Sequence, residues 1–126
     1  MNANEFRQEL VQVMPGYRWT VHEATPAGIK RATGTTVVVS SNGIVLFTPT
    51  LEVERRENYA ASGRPLYSVR FALRADAPFL AASESGTLPE ALRGLLDHYQ
   101  KTAATYQAHA QALDSGRRVS PESSHG

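Results

Sequence analysis

Four histidines, His22, His98, His109 and His125, are the side chains here that titrate near neutral pH unaided, so acid–base or metal chemistry begins with them. His98 and His109 fall on one helical segment, almost in line but about 16 Å apart, too far to share a metal ion. His22 and Glu23 are neighbours on an extended segment and point to opposite faces, so they form no base-and-orienter pair. Asp97 and His98 lie about 100° apart around a helix, and a dyad there needs a third element. Ala82-Ser83-Glu84-Ser85-Gly86 lacks the first glycine of a nucleophile elbow, and Ser40-Ser41-Asn42-Gly43 is accounted for by a turn. Neither glycine pattern that cradles phosphate is present. With 0 cysteines, disulfides, thiolate metal sites and cysteine nucleophiles are excluded together. The expectation is a non-enzymatic protein with no catalytic residue, metal site or cofactor; an enzyme requires that folding gather His22, His98 or Asp97 into one pocket.

The other chemistry on offer is charge. The 13 basic and 12 acidic residues leave a net +1, so binding to nucleic acid has to come from a local patch rather than a global field. Alternation along the predicted strands sets Arg18, His22, Glu52, Glu54, Arg56, Ser68, Arg70 and Arg74 on one side of a sheet. Arg18, His22, Arg56, Arg70 and Arg74 make that side a candidate nucleic-acid face. The helix–strands–helix order is similar to that of double-stranded-RNA-binding domains. The lysine-rich helix start of those domains is replaced here by Gly86-Thr87-Leu88-Pro89-Glu90, with no positive charge before Arg93. Tyr17, Trp19, Tyr67 and Phe71 fall on the opposite parity, so no aromatic platform faces the bases. Cross-strand Glu–Arg pairing is the simpler reading of the charged side.

The elements that position these residues follow from hydrophobic period and capping. Asn2 with Glu5 forms a capping box for a helix to Met14, with Phe6, Leu10, Val13 and Met14 on one face and Pro15-Gly16 as its stop. Tyr17 to His22 alternates as a strand, and residues 24–34 carry the Pro and Gly punctuation of a loop. Thr35 to Ser40 and Ile44 to Thr48 flank Asn42-Gly43, the preferred pair for a type I′ turn, in which both residues take positive φ. Pro49 marks a bulge, an edge or the join to the next strand. Leu51 to Glu57 and Leu66 to Ala75 form a second hairpin, with Tyr67, Val69, Phe71 and Leu73 inward and Ala60 to Pro65 as a mobile connection. Phe79 to Ser83 adds a short fifth strand.

Thr87-Leu88-Pro89-Glu90 opens a helix over 87–114, on which Leu88, Leu92, Leu95, Tyr99, Ala103, Tyr106, Ala110 and Leu113 recur at spacings of three and four. Ser115-Gly116 ends it. The result is an α+β protein: an antiparallel sheet of four to five strands, built as two successive hairpins, with an N-terminal helix and a long C-terminal helix on one face. Residues 1–114 form a single domain, and 115–126, rich in Ser and Gly, a disordered tail. Arginine and alanine bias points to a bacterial or phage genome.

Two features exceed what this architecture buries. Val37-Val38-Val39 and Ile44-Val45-Leu46-Phe47 put apolar side chains on both faces of the first hairpin, to be covered by the 24–34 loop or by a partner. A helix of about 40 Å overhangs strands of about 20 Å, and its second half carries small and aromatic residues suited to close helix approach. The candidate partner interface is therefore Val38, Val45, Phe47, Ala103, Tyr106, Ala110 and Leu113, facing another protein or a second copy of the chain. No run reaches the ~18 apolar residues of a spanning helix, so no membrane contact is expected. The first residues, with an early acid and no apolar stretch, predict a cytoplasmic address. Gly94 within the long helix costs about 1 kcal/mol relative to Ala, which close packing against another backbone offsets.

Overall fold

The computed structural model describes residues 1–23, 25–59 and 63–123, with 118–123 described by backbone alone. Asn2 caps helix α1 (Ala3–Val13) with the expected box: its Oδ1 accepts from the Glu5 N–H at 2.8 Å, and its own N–H donates to Glu5 Oε1 at 3.0 Å. Seven strands follow among the described residues: β1 (Arg18–His22), β2 (Ile29–Thr35), β3 (Val38–Val39), β4 (Val45–Phe47), β5 (Thr50–Arg56), β6 (Leu66–Ala72) and β7 (Ala81–Ser85). Helix α2 (Leu88–Ser123) closes the chain; Thr87 Oγ1 accepts from the Glu90 N–H at 3.3 Å at its start. The fold is α+β, with a five-stranded sheet in the order β1-β2-β5-β6-β7, antiparallel throughout, and a two-stranded sheet β3-β4. The chain divides into two units, Met1–Leu95 and Leu96–Gly126.

In the first unit one parity of the sheet is apolar. Trp19, Ala32, Leu51, Val53, Tyr67 and Val69 join Phe6 and Leu10 of α1 and Leu88, Ala91 and Leu95 of α2 in one buried cluster. Helix residues enter that cluster from a single side, so both helices cover the same face. α1 is also held by polar contacts. Tyr67 Oη donates to Glu9 Oε1 at 2.5 Å and accepts from Arg55, whose guanidinium lies over the Tyr67 ring and pairs with Glu57 at 2.8 Å. Burial and the Glu9 hydrogen bond push the Tyr67 hydroxyl up to about 12, against the lowering effect of Arg55.

The structure corrects the 24–34 loop. Only 25–28 turns, with Gly28 at φ +78° and the Ile29 N–H donating to Pro26 O at 3.1 Å; Ile29–Thr35 is a central strand between β1 and β5. Ala24 lies outside the described residues, as do Ala60, Ala61 and Ser62 of the expected β5–β6 connection. The strand signal is faint because the inward positions of β2 are Lys30, Ala32 and Gly34, and the two buried ones, Ala32 and Gly34, are small for a reason. The Trp19 ring lies across Gly34, and a Cβ there would stand 2.7 Å from Trp19 Cζ3. Trp19 is fixed in turn, its Nε1–H donating to Met14 O at 3.1 Å and its carbonyl accepting from Arg7 at 3.3 Å.

The first hairpin is also differently placed. Thr35 pairs with Thr50, the Thr36 N–H donates to Pro49 O at 3.5 Å, and Val38 pairs with Phe47, so β3–β4 prolongs the β2–β5 ladder in the same register. Pro49, buried and without an N–H, breaks the ladder at the join. β1 and β6 stop where the arm departs, at Arg18 opposite Thr35 and Ala72 opposite Thr50. The turn is not type I′: of Asn42-Gly43 only Gly43 has positive φ, at +83°, and the Gly43 N–H donates to Ser40 O at 3.0 Å while the Ser40 N–H donates to Ile44 O at 2.8 Å. That is a three-residue loop ending in a left-handed glycine, with a register shift between Val38 and Val39.

Smaller differences follow. The fifth strand is Ala81–Ser85, and Leu73 lies past the end of β6 and is exposed. Ser115-Gly116 do not end α2, whose backbone continues to Ser123; His125 and the rest of 124–126 lie outside the described residues. Gly94 does have a close neighbour, but it is a side chain and not a backbone: a Cβ at position 94 would stand 3.1 Å from Ser83 Cβ of β7.

Replacing glycine by alanine in a strand usually stabilises by about 0.4–1 kcal/mol through the unfolded state. At Gly34 the sign reverses: Gly34→Ala costs about 1–3 kcal/mol because the Trp19 ring has to move. Gly16→Ala, with nothing within 4 Å of the new atom, costs nothing. Urea melts of the two variants check this, and equal midpoints would remove the Trp19–Gly34 contact as a determinant.

Candidate functional site

The sheet face away from the helices carries Arg31 on β2, Glu52, Glu54 and Arg56 on β5, Ser68 and Arg70 on β6, and Glu84 on β7. Together they line a shallow depression. Register sets the charges in alternation. Arg31 Nη2 pairs with Glu54 at 2.9 Å and its Nε lies 3.9 Å from Glu52; Arg56 reaches Glu54 at 3.1 Å, and Arg70 pairs with Glu52. Burial alone raises the Glu54 carboxyl, but hydrogen bonds and charge from Arg31 and Arg56 outweigh it and hold that carboxyl below its ordinary value. Arg70 also lies over the Phe79 ring at 4.3 Å, and Ser68 Oγ donates to Glu84 at 3.0 Å.

Of the five predicted nucleic-acid contacts, Arg18, His22, Arg56 and Arg70 do share this face. Arg74 stands beyond the end of β6 in a turn, paired with Asp76 at 2.9 Å. His22 shares a 2.6 Å hydrogen bond with Thr33 Oγ1. Arg31, between two carboxylates, escaped sequence reading because its strand did. The remaining described histidines lie on α2, the His98 ring edge-on to Tyr99 at 5.2 Å and the His109 ring edge-on to Tyr106 at 6.2 Å. Among the described residues no three His, Asp or Glu side chains are grouped to hold a metal ion.

The β3–β4 arm presents the other candidate surface. Val37, Val39, Ile44, Val45, Leu46 and Phe47 are exposed by between 37% and 60%, with Val38 half-buried. Among the described residues neither edge of the arm pairs with another strand, so its outward N–H and C=O groups are available as well. Its base is pinned where Thr36 Oγ1 donates to Gly16 O at 3.0 Å. Ile29–Thr35 does not cover the arm, since it is itself part of the five-stranded sheet. In the second unit Ala103, Tyr106, Ala110 and Leu113 of α2 are exposed. Thr102 and Thr105 bond back to the His98 and Lys101 carbonyls at 2.9 and 3.0 Å.

No described helix is long and apolar enough to cross a membrane. Comparison with protein-family models, curated proteins and solved structures yields no match.

The ion-pair face makes a pH prediction. Because the folded Glu54 carboxyl titrates below its ordinary 4.5, the unfolded chain binds more protons in that window, so the contribution is full above 4.5 and lost as pH falls through the lowered value. Glu54→Gln therefore costs about 1 kcal/mol at neutral pH, discounted for the half-exposed arginines, and the difference from the unmodified chain vanishes in acid. Parallel melts across that range measure it; a difference independent of pH would assign the loss to packing.

Proposed function

We propose that this protein acts by binding another protein, not by catalysis, and that the β3–β4 arm is the contact element. The observation that carries the reading is a hairpin with exposed apolar side chains on both faces and, among the described residues, both backbone edges unpaired. Contiguous apolar exposure marks interaction surfaces, and a two-stranded hairpin is marginal in water without a neighbour. A partner that supplies a strand to either edge satisfies the backbone groups and buries alternate side chains in one step. Val38, Val45 and Phe47 belong to that surface.

The charged face supports a nucleic-acid role less well. A phosphate backbone approaching Arg31, Arg56 and Arg70 meets Glu52 and Glu54 among them, and each arginine would have to give up a carboxylate partner. A cytoplasmic address and a bacterial or phage source belong to this proposal on the strength of the sequence.

Val39→Asp and Leu46→Asp, at exposed positions, shift folding stability by no more than about 0.5 kcal/mol. With the full chain as bait in an extract of its own source, a partner retained by the unmodified protein is expected to be lost with either variant. Retention of the same partner by both, with unchanged melting, would move the contact away from the arm. Salt-sensitive retention on immobilised RNA or DNA, lost in Arg70→Glu, would favour the nucleic-acid reading instead.

A further inference from the structure

The second exposed surface carries its own partner specification, independent of the arm. Leu96, Tyr99, Ala103, Tyr106, Ala110 and Leu113 make a heptad stripe along α2, bulky at one position of each repeat and alanine at the other in the middle. Leu96, Tyr106 and Leu113 are exposed by 56%, 67% and 73%, and Ala103 and Ala110 are exposed as well, while Tyr99 is half-buried; from Ala103 to Leu113 the stripe therefore lacks the packing from which helices of this kind draw most of their stability.

We infer that this stripe pairs with α2 of a second copy, antiparallel, about a two-fold axis between Ala104 and Thr105. Reversing the helix about that point maps the stripe onto itself: Leu96 meets Leu113, Tyr99 meets Ala110, and Ala103 meets Tyr106. Every tyrosine faces an alanine. Large opposite small fills each layer and lets the axes approach to about 8 Å, the close end of helix packing. The flanks agree. On one side Arg93 stands opposite Asp114 of the second copy and Gln100 opposite Gln107; on the other, Thr102 stands opposite His109. The two-fold axis makes each of these pairs occur twice, as a self-complementary interface requires.

A parallel pair fits worse. It stacks Tyr106 on Tyr106 and Ala103 on Ala103, crowding one layer and leaving the next hollow, and it sets Arg93 beside Leu88 instead of an acid. The antiparallel register therefore answers both the shape and the charge of the helix, over about 26 Å from Leu96 to Leu113.

Sedimentation equilibrium of the full chain is expected to give a dimer, and a monomer at every soluble concentration overturns the inference. Ala103→Glu buries two charges at the axis and weakens association roughly a hundredfold or more, while Arg93→Glu and Asp114→Arg each weaken it about tenfold. The double variant Arg93→Glu with Asp114→Arg restores it, an outcome no purely structural role for either residue produces. Because the chain has 0 cysteines, orientation is read directly. When Leu96→Cys and Leu113→Cys chains are mixed and air-oxidised, the disulfide between unlike chains dominates. Dominance of like-with-like disulfides overturns the antiparallel register. A dimer that survives Ala103→Glu but is lost in Leu46→Asp would place self-association on the arm instead. Melting curves of the variants confirm that the buried cluster, which contains none of these residues, is intact.

Discussion

The Trp19 ring lying across Gly34 is the contact on which the first unit depends. The indole joins three elements at once: it packs over the backbone of β2, donates from Nε1 to the carbonyl that ends α1, and belongs to β1, whose carbonyl at the same residue takes a hydrogen bond from Arg7. A larger residue at position 34 would lift the ring and with it both the α1 cap and the first strand pairing. The missing side chain in β2 is thus the complement of the largest one in β1, and neither can change size alone.

From that contact outward, the sheet separates its two faces, with Lys30 and Arg55 the charged side chains on the helix-facing parity. Apolar residues of β1, β2, β5 and β6 meet α1 and the start of α2, while the opposite parity is given to glutamates and arginines in cross-strand alternation. The alternation is a stability device first. Exposed single pairs are worth little, but carboxylates shared between two arginines, as Glu52 and Glu54 are, hold several side chains in place together. A surface whose charges are matched internally has less to offer a polyanion than its arginine content suggests.

The two apolar surfaces outside the core arise from opposite causes. The arm exists because the β2–β5 ladder continues past the ends of its neighbours, so its side chains and edges have no described strand beside them. The exposed part of α2 exists because a helical pattern of threes and fours runs on for longer than the buried cluster extends along it. One is an extended element of the kind that accepts an added strand, the other a helix face of the kind that packs knobs into holes.

Local chemistry was enough to determine much of this. The Asn2–Glu5 box, the Thr87 cap, the β5–β6 hairpin with Leu51, Val53, Tyr67, Val69 and Phe71 on its inward parity, and the parity of Arg18, His22, Arg56 and Arg70 all follow from side-chain period and hydrogen-bonding groups a few residues apart. The apolar excess around Val37 to Phe47 was legible for the same reason, as was the need for a close neighbour at Gly94. What lay beyond the sequence was everything set by a distant residue. β2 looked like a loop because Ala32 and Gly34 make sense only under Trp19; the arm looked like part of the main sheet because its lack of neighbours depends on where β1 and β6 stop; and Arg31 joined the charged face only once its strand had been placed. Short-range preferences choose the elements, but which residue may be small, exposed or charged is decided by what the fold brings against it.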